Sequence, residues 1–235
     1  MLYELAHIIK SRCSFLWDFL EWGNSVAFFF RYRDGLRCLS ETVNSGVPPP
    51  YEIRVANKDD VAELQTFFSL QPKESFAFFQ PHGFDERAIR KIVRSKSFLT
   101  FILIEHRIDG DNIVGYAFMR SFVNGASYRG YMVDVNHRGK GLATIMGLGL
   151  NRVGDALNLK MYKSISPDNP ASMRATEKVC NVKILKTLEN GDYLMECTKK
   201  AVNETIRPVG GGRRYARYVV GNLAITPLSE IKYAA

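Results

Sequence analysis

The stretch VDVNHRGKGLA, residues 133–143, joins two patterns of residues that indicate different secondary structures. Residues 128–135 are β-prone and lead directly into a turn that contains two glycines. From Leu142 onward, apolar residues recur at the spacing of one face of a helix. The sequence therefore predicts a strand, a glycine turn and a helix in direct succession.

The turn has the features of an anion-binding site. Gly139 and Gly141 have no Cβ, so the backbone can approach a ligand closely and adopt unusual dihedral angles. The first N–H groups of a helix have no carbonyl partner within the helix, and they carry the positive end of its dipole. Arg138 and Lys140 add positive charge, so a phosphate is the ligand that this turn predicts. The simpler alternative is a surface turn with two basic residues.

Three segments are predicted along the chain. Residues 1–50 contain an amphipathic helix over residues 2–22, ended by Gly23-Asn24-Ser25, and then the stiff proline-rich linker SGVPPP. Residues 51–198 form the main domain, and residues 199–235 form a basic tail with seven basic and two acidic side chains. The broad apolar face of the first helix needs a partner, either the main domain or a second copy of the chain.

The main domain has a predicted element order of β-α-α-β-β-β-α-β-α-β-β. Asn57 and Asp60 indicate the start of the first of these helices. Asp-Gly and Asn-Gly turns join the three consecutive strands into an antiparallel meander. Residues 71–83 are interpreted as an irregular aromatic loop, too short for all of its rings to lie in the core.

Composition excludes several classes of protein. No run of eighteen apolar residues occurs, so no membrane-spanning helix is predicted, and the start MLYELAHIIK does not resemble a signal peptide. The cysteines are scattered, which is typical of reduced cytoplasmic thiols and of neither a disulfide framework nor a zinc site. They are Cys13, Cys38, Cys180 and Cys197.

The net charge of +8 allows polyanionic partners. The basic tail suits a polyanion or an anionic membrane surface, or it serves solubility alone. A peripheral membrane contact therefore stays open. No nucleic-acid-binding module accompanies the tail arginines, so we expect no specific nucleic-acid partner. These arginines are Arg207, Arg213, Arg214 and Arg217.

Two motifs resemble those of the GNAT acyltransferase superfamily. Arg138, Gly141 and Ala143 match R/Q-x-x-G-x-G/A, the acyl-CoA pyrophosphate loop of that family. Residues 169–178, NPASMRATEK, resemble the N-x-x-S-x-R-x-x-E-K stretch of GNAT proteins related to the ribosomal-protein N-terminal acetyltransferases. The resemblance implies an α+β GNAT fold, with a mostly antiparallel central sheet and helices on both faces, plus the N-terminal helical extension and the C-terminal tail.

The chain departs from the family pattern at two places. Cys180-Asn181 follows the second motif where Gly-Phe is usual. Thr176 stands where many members carry a tyrosine general acid, so that acid cannot be transferred to this chain.

The resemblance implies an N-acetyltransferase with acetyl-CoA as acyl donor and no metal. The backbone N–H groups of Val133 and Val135 would hold the thioester carbonyl and the pantetheine. Asn169 would contact pantetheine or position a water, and Arg174 would approach the phosphates unless it lies on a solvated helix face. The pyrophosphate would be held by Arg138, Gly139, Lys140, Gly141, Leu142 and Ala143.

The chemistry also needs proton transfer, because an alkyl ammonium must lose a proton before it attacks. The candidates for the general base are Glu105, His106, Asp134 and His137. Glu105 and Asp134 are favoured, although a structural role for either carboxylate stays open. His137 is expected to pack over the CoA. Tyr162 or Tyr128 would protonate the leaving thiolate, with core packing as the alternative for both.

The acceptor is expected to be a small-molecule or peptide amine. The aromatic residues 76–82 favour an amino sugar or a nucleotide-linked amino sugar, on which they would stack. A protein or peptide N-terminus is the second candidate, given the family branch of the second motif. A non-catalytic CoA-binding scaffold is the alternative from a different class, and a homodimer stays open.

Overall fold

The computed structural model describes residues 14–200, 204–209 and 217–222. The elements in these residues, in chain order, are α1 (Ser14–Arg37), α2 (Leu39–Asn44), β1 (Tyr51–Val55), α3 (Val61–Ser69), α4 (Glu86–Arg94), β2 (Phe98–Glu105), β3 (Asn112–Ser121), β4 (Ala126–Val133), α5 (Leu142–Ala156), β5 (Lys160–Ile165), α6 (Pro170–Val179), β6 (Cys180–Thr187), β7 (Tyr193–Lys199), β8 (Glu204–Val209) and β9 (Arg217–Asn222). None of the described helices is long and apolar enough to span a bilayer.

The first seven strands form one sheet in the order β1-β2-β3-β4-β5-β7-β6. Every neighbouring pair in it is antiparallel except β4 and β5, which are parallel. The meander predicted from the Asp-Gly and Asn-Gly turns is confirmed as β2-β3-β4. The mostly antiparallel sheet that the resemblance implied is confirmed as well.

The parallel strands β4 and β5 separate soon after they meet. They pair only at Ala126 with Lys160, Ser127 with Met161 and Tyr128 with Tyr162. Beyond these pairs β4 continues to Val133 and β5 to Ile165 without pairing to each other. We call this opening the fork. Along it, backbone groups of both strands face a gap instead of a neighbouring strand.

Helices cover both faces of the sheet, as the resemblance implied. On one face α1, α2 and α5 pack in a core that includes Phe28, Leu39 and Leu150. On the other face α3 and α4 pack in a second core that includes Leu64 and Ile89. The glycine turn follows β4, the middle strand of this sheet.

Helix α1 differs from its prediction, because it runs through Gly23-Asn24-Ser25 to Arg37. Asn24 donates to Ser121 O at 3.0 Å and accepts from Val123 N at 3.0 Å. Ser25 Oγ accepts from Lys96 N at 2.9 Å. These side chains bond to residues at or next to the ends of β2 and β3 rather than competing with the helix backbone, which is why the expected break is wrong. The predicted helix residues 2–13 lie outside the described residues.

The fully buried side chain of Phe28 shows what covers α1. It belongs to the same core as Leu39, Val43 and Tyr51. Between the two partners that the sequence left open for this helix, the described part of α1 packs on the main domain.

The aromatic loop is more buried than expected. Phe76 and Phe79 pack against the second core, and His82 Nε2 lies 2.7 Å from Tyr116 Oη. Burial lowers the pKa of His82. Phe78 is 52% exposed. Most rings of this loop therefore serve packing.

The tail contains two strands that periodicity did not predict. Strands β8 and β9 pair antiparallel, from Glu204 with Asn222 to Val209 with Arg217. Arg213 and Arg214 lie outside the described residues. The hairpin forms a separate two-stranded sheet.

A 3-10 turn at residues 58–60 leads into α3, and the predicted cap of Asn57 and Asp60 stands at the start of this turn, beside a buried ion pair. Asp60 accepts from Asn57 N at 2.7 Å, and Asn57 Oδ1 accepts from Asp59 N at 2.8 Å. Arg54 donates two hydrogen bonds to Asp60, at 2.7 and 2.6 Å. Burial opposes ionisation of Asp60, but the bonds from Arg54 and Asn57 outweigh it and lower the pKa of Asp60.

We expect Asp60→Asn to lower the free energy of unfolding by about 1.5–3 kcal/mol near neutral pH, as for other hydrogen bonds to charged groups. Since the folded-state pKa is lowered, this stabilisation is present above the ordinary value of 3.8 and is lost as pH falls through the folded-state pKa. The difference between wild type and variant should therefore shrink below pH 3.8. Urea unfolding at about pH 7 and about pH 3 measures it. An equal difference at both pH values would contradict this assignment.

Candidate functional site

The glycine turn lies between β4 and α5, as predicted. Residues 135–137 form a short 3-10 turn, and Gly139 and Gly141 follow with φ of +77° and +84°. These are left-handed conformations that side chains with a Cβ rarely adopt. Helix α5 begins directly after Gly141, and no side chain caps its first turn.

The head of α5 presents unused backbone donors. The first intrahelical bonds run from Thr144 N and Ile145 N to Gly141 O, at 2.9 and 3.2 Å. The N–H groups that precede them are those that helix geometry leaves without a carbonyl. A Cβ on Gly139 would meet nothing within 4 Å. The turn therefore offers open space and N–H donors to a phosphate.

Arg138 fastens this turn to the chain before α4. Its Nη2 donates to Ser75 Oγ at 2.7 Å, and its Nε donates to Val133 O at 3.4 Å. The guanidinium is exposed, and it remains next to the head of α5. Positive charge at this place adds to the field of the helix dipole.

A buried network of charged side chains and hydrogen bonds connects the glycine turn to the end of β2. His137 Nδ1 lies 2.6 Å from Asp134 Oδ2, and His137 Nε2 lies 3.4 Å from Glu105 Oε2. Arg107 Nε donates to Glu105 at 2.5 Å, and Tyr51 Oη donates to it at 3.2 Å. The two predicted carboxylates thus share His137 and connect the turn to the end of β2.

Both carboxylates are held in their charged form. Burial favours neutral Glu105, but the hydrogen bond and charge of Arg107 outweigh it and lower the pKa of Glu105. Burial likewise opposes ionisation of Asp134, and hydrogen bonds from Gln71 and His137 lower the pKa of Asp134. A carboxylate with a lowered pKa is a weaker base.

Gln71 is a site residue that the sequence analysis missed. It is 6% exposed. Its Nε2 donates to Asp134 Oδ1 at 2.9 Å, and its Oε1 accepts from Val135 N at 3.1 Å. The ligand-binding role of the Val135 N–H stays a prediction, and here that N–H donates to Gln71. No local pattern marks a glutamine in an irregular loop as a partner for residues about sixty positions away.

The backbone of β4 directs two donors into the fork. Asp134 N donates to Val114 O of β3 at 2.9 Å. Successive N–H groups of a strand point to opposite edges. The N–H groups of Val133 and Tyr131 therefore point away from β3, toward the fork. Tyr131 joins Val133 as a candidate donor, and the sequence analysis did not include it.

Two buried cations lie at the base of the fork. Arg129 and Lys163 are the first residues beyond the last β4–β5 pair, and they are 3% and 6% exposed. Lys163 Nζ donates to Thr176 Oγ1 at 3.1 Å and lies 4.1 Å from the centre of the Tyr131 ring. Thr176, at the position where the tyrosine is missing, is thus the hydrogen-bond partner of a lysine.

Arg129 has a thiol as its partner. Its Nη2 lies 2.7 Å from Cys180 Sγ, and its Nη1 donates to Asn151 Oδ1 at 2.5 Å. The hydrogen bond from Cys197 and the charge of Arg129 lower the pKa of Cys180 to about 6. The bond to Cys180, together with burial, raises the pKa of Cys197. The surroundings of Cys180 therefore favour its charged form, next to Arg129.

Comparison with solved structures gives a clear fold match. The GNAT domain of S. lividans PAT has 14% sequence identity and a TM-score of 0.53, and the match covers 62% of this chain and 89% of that one. A GNAT-family acetyltransferase from Bacillus anthracis has 16% identity and a TM-score of 0.50, over 63% of this chain and 94% of that one. This chain has the GNAT fold.

A third GNAT neighbour agrees with this match. The ribosomal-protein-S5-alanine acetyltransferase from Vibrio fischeri has 14% identity and a TM-score of 0.50, and the match covers 64% of this chain and 93% of that one. No protein-family model matches the sequence, and no curated protein matches it either. At these identities the likeness establishes the fold, so the roles of individual residues rest on the geometry.

Three further residues that the sequence analysis assigned to the site are Asn169 and Arg174 on or next to α6 and Tyr162 in β5. Asn169 caps α6, because its Oδ1 accepts from Ser172 N at 3.0 Å. Arg174 is exposed on α6. Tyr162 is half-buried, and its ring lies 5.5 Å from that of Tyr128. Because Tyr162 precedes Lys163 in β5, its side chain lies on the opposite face of the sheet from the lysine.

A pocket of about 440 Å³ adjoins the glycine turn of this GNAT fold. Residues of α3, the β2–β3 connection and the turn line it, among them Gln71, Arg107, Asp134 and His137. The side chains of the buried network around His137 therefore also line one side of this pocket.

Proposed function

We propose that the protein is an acetyltransferase that moves the acetyl group of acetyl-CoA to a primary amine. The observation that carries this proposal is the combination of the two features of β4. Its fork edge offers the N–H groups of Tyr131 and Val133, and its end leads into the glycine turn at the head of α5. One long thioester ligand can engage both places.

Residues of the glycine turn and of β4 are suited to the two ends of acetyl-CoA, the diphosphate and the thioester. The N–H groups of residues 139–143 and the charges of Arg138 and Lys140 would bind the diphosphate. The N–H groups of Tyr131 and Val133 would bind the pantetheine and the thioester carbonyl. That carbonyl oxygen gains negative charge as the amine attacks, and one well-placed donor is worth about 3 kcal/mol to the transition state.

Glu105 and Asp134 stay proposals for the general base. Each already accepts hydrogen bonds from neighbouring side chains, and the pKa of each is lowered. Their arrangement around His137 favours a positioning role, in which they hold the glycine turn against the end of β2. Tyr162 stays a proposal as proton donor, on the face of the sheet opposite Lys163.

The acceptor is proposed at the level of a primary amine. Amino sugars keep one supporting feature, the exposed ring of Phe78, because the other loop aromatics are packed. A peptide N-terminus is supported by the Vibrio fischeri neighbour, whose name gives an alanine of ribosomal protein S5 as its target. The two acceptor classes are compared in one screen.

We expect acetyl-CoA to bind saturably and CoA thiol to be released only when an accepted amine is present. Titration calorimetry measures the binding, and a thiol-reactive dye follows release with amino sugars, nucleotide-linked amino sugars and peptides with free N-termini. A KM between about 1 μM and 1 mM is the usual range for an enzyme substrate. Binding without release from any amine would support the non-catalytic scaffold, and no binding would contradict both functions.

A further inference from the structure

Lys163 at the base of the fork has no role in the proposed function so far. It follows the last residue of β5 that pairs with β4, and it is 6% exposed. Its partners are the Thr176 hydroxyl at 3.1 Å and the face of the Tyr131 ring at 4.1 Å. Within residues 18–200, no aspartate or glutamate forms an ion pair with it. A buried ammonium without a carboxylate partner is costly, so its presence needs an explanation.

The neighbouring buried cation, Arg129, contacts a side chain that accounts for its burial. Arg129 contacts the Cys180 sulfur at 2.7 Å, and that thiol is the one with the lowered pKa. Arg129 therefore has its own partner in this sulfur, and its positive charge favours the charged form of Cys180. A hydroxyl and an aromatic face solvate the charge of Lys163 but do not neutralise it.

The hydrogen bonds of Thr176 identify Lys163 as a donor. Thr176 Oγ1 donates its proton to Ser172 O at 2.8 Å, so toward Lys163 it can only accept. An ammonium has three N–H groups. One goes to Thr176 and one side faces Tyr131, and no further acceptor for the third lies among the described residues 18–200. Lys163, the first residue of β5 beyond the last β4–β5 pair, therefore keeps one N–H without an acceptor among these residues.

We propose that Lys163 is a catalytic residue that donates a proton to the departing sulfur of CoA, and that Thr176 positions it. This inference rests on the proposed function. The amine forms a bond to the acetyl carbon, the carbon–sulfur bond breaks, and its electron pair goes to sulfur. The Nζ proton of Lys163 then passes to sulfur. The attacking nitrogen releases its surplus proton to water, and water reprotonates Lys163 after CoA leaves.

The negative charge that develops on the departing sulfur suits the positive charge of Lys163. A thiolate that forms at the base of the fork would give Lys163 a negative partner, and no aspartate or glutamate of residues 18–200 forms an ion pair with it. Proton transfer by a positioned acid contributes about 10²–10⁴-fold to a rate. The effect belongs to bond breaking, so it appears in kcat and leaves donor affinity unchanged.

The test is Lys163→Met, with Lys160→Met as the matched control on the exposed side of the same strand. Methionine keeps the length and apolar stem of lysine without its charge. We expect kcat to fall about 100-fold, the lower end for a lost acid, while the dissociation constant of acetyl-CoA changes by less than about 3-fold. The control should retain both values. A loss in kcat below about ten-fold, or donor affinity that falls as much as kcat, overturns the proposal.

Thr176→Val, which keeps the size of the side chain, and Thr176→Ser, which keeps the hydroxyl, provide a second test. Valine removes the acceptor for Lys163, and we expect about ten-fold lower kcat at unchanged KM, whereas serine retains the acceptor and the rate. Equal losses in both variants overturn the positioning role. If wild type releases no thiol with any amine, the proposed function itself fails. If wild type and Lys163→Met are equally active, only this inference fails.

Discussion

Gly141→Val is expected to weaken acetyl-CoA binding by at least about 100-fold. Gly141 has a φ of +84°, and a β-branched residue held in that region costs about 1–3 kcal/mol. The new side chain also stands at the head of α5, where the N–H donors would meet the diphosphate. Titration calorimetry with acetyl-CoA measures the change in the dissociation constant.

Gly191→Val is the matched control for this variant. Gly191 has a φ of +85° in the turn between β6 and β7, and a Cβ there meets nothing within 4 Å. The backbone strain is therefore the same, but the position is remote from the glycine turn. Normal binding in Gly191→Val and lost binding in Gly141→Val would separate a ligand effect from destabilisation. Equal weakening in both variants would contradict a specific role for Gly141.

Phe28→Ala is expected to lower the free energy of unfolding by about 3–5 kcal/mol, the range for truncation of a buried phenylalanine. Phe28 is fully buried between α1 and the sheet, although it lies before the proline-rich stretch. Urea unfolding measures the loss. Phe30→Ala, on the same helix at 67% exposure, should change stability by no more than about 0.5 kcal/mol. A loss below about 1 kcal/mol for Phe28→Ala would mean that α1 is a dispensable extension.

The features of this fold that could be predicted from the sequence are those with local determinants. The glycine turn within residues 133–143 could be predicted from those residues alone, because Gly139 and Gly141 adopt the positive φ that the turn between strand and helix needs. Asn57 and Asp60 form the cap that their spacing predicted. The meander followed from turn dipeptides between β-prone segments, because both signals act within a few residues.

The features that could not be predicted are those whose partners are far apart in the chain. Gly23-Asn24-Ser25 has the composition of a helix end, but Asn24 bonds to Ser121 and Val123, about a hundred residues away. Gln71 meets Val135 and Asp134 for similarly non-local reasons.

Lys163 illustrates a second limit. In sequence it is one more lysine in an alternating strand, and only the fold buries it against Thr176. The sequence held one indication of a special role for Lys163, because it is a charged residue on the face of the strand that the alternation assigns to the core. The separation of β4 from β5, which makes this position matter, is a tertiary feature that no local pattern encodes.

A structure of the protein in complex with CoA tests the central claim most directly. We expect the diphosphate within hydrogen-bond distance of the N–H groups of residues 139–143, with the pantetheine along the fork edge of β4. Its sulfur should lie near Lys163. A diphosphate bound elsewhere, or a glycine turn left without ligand contact while CoA occupies another surface, would contradict the account.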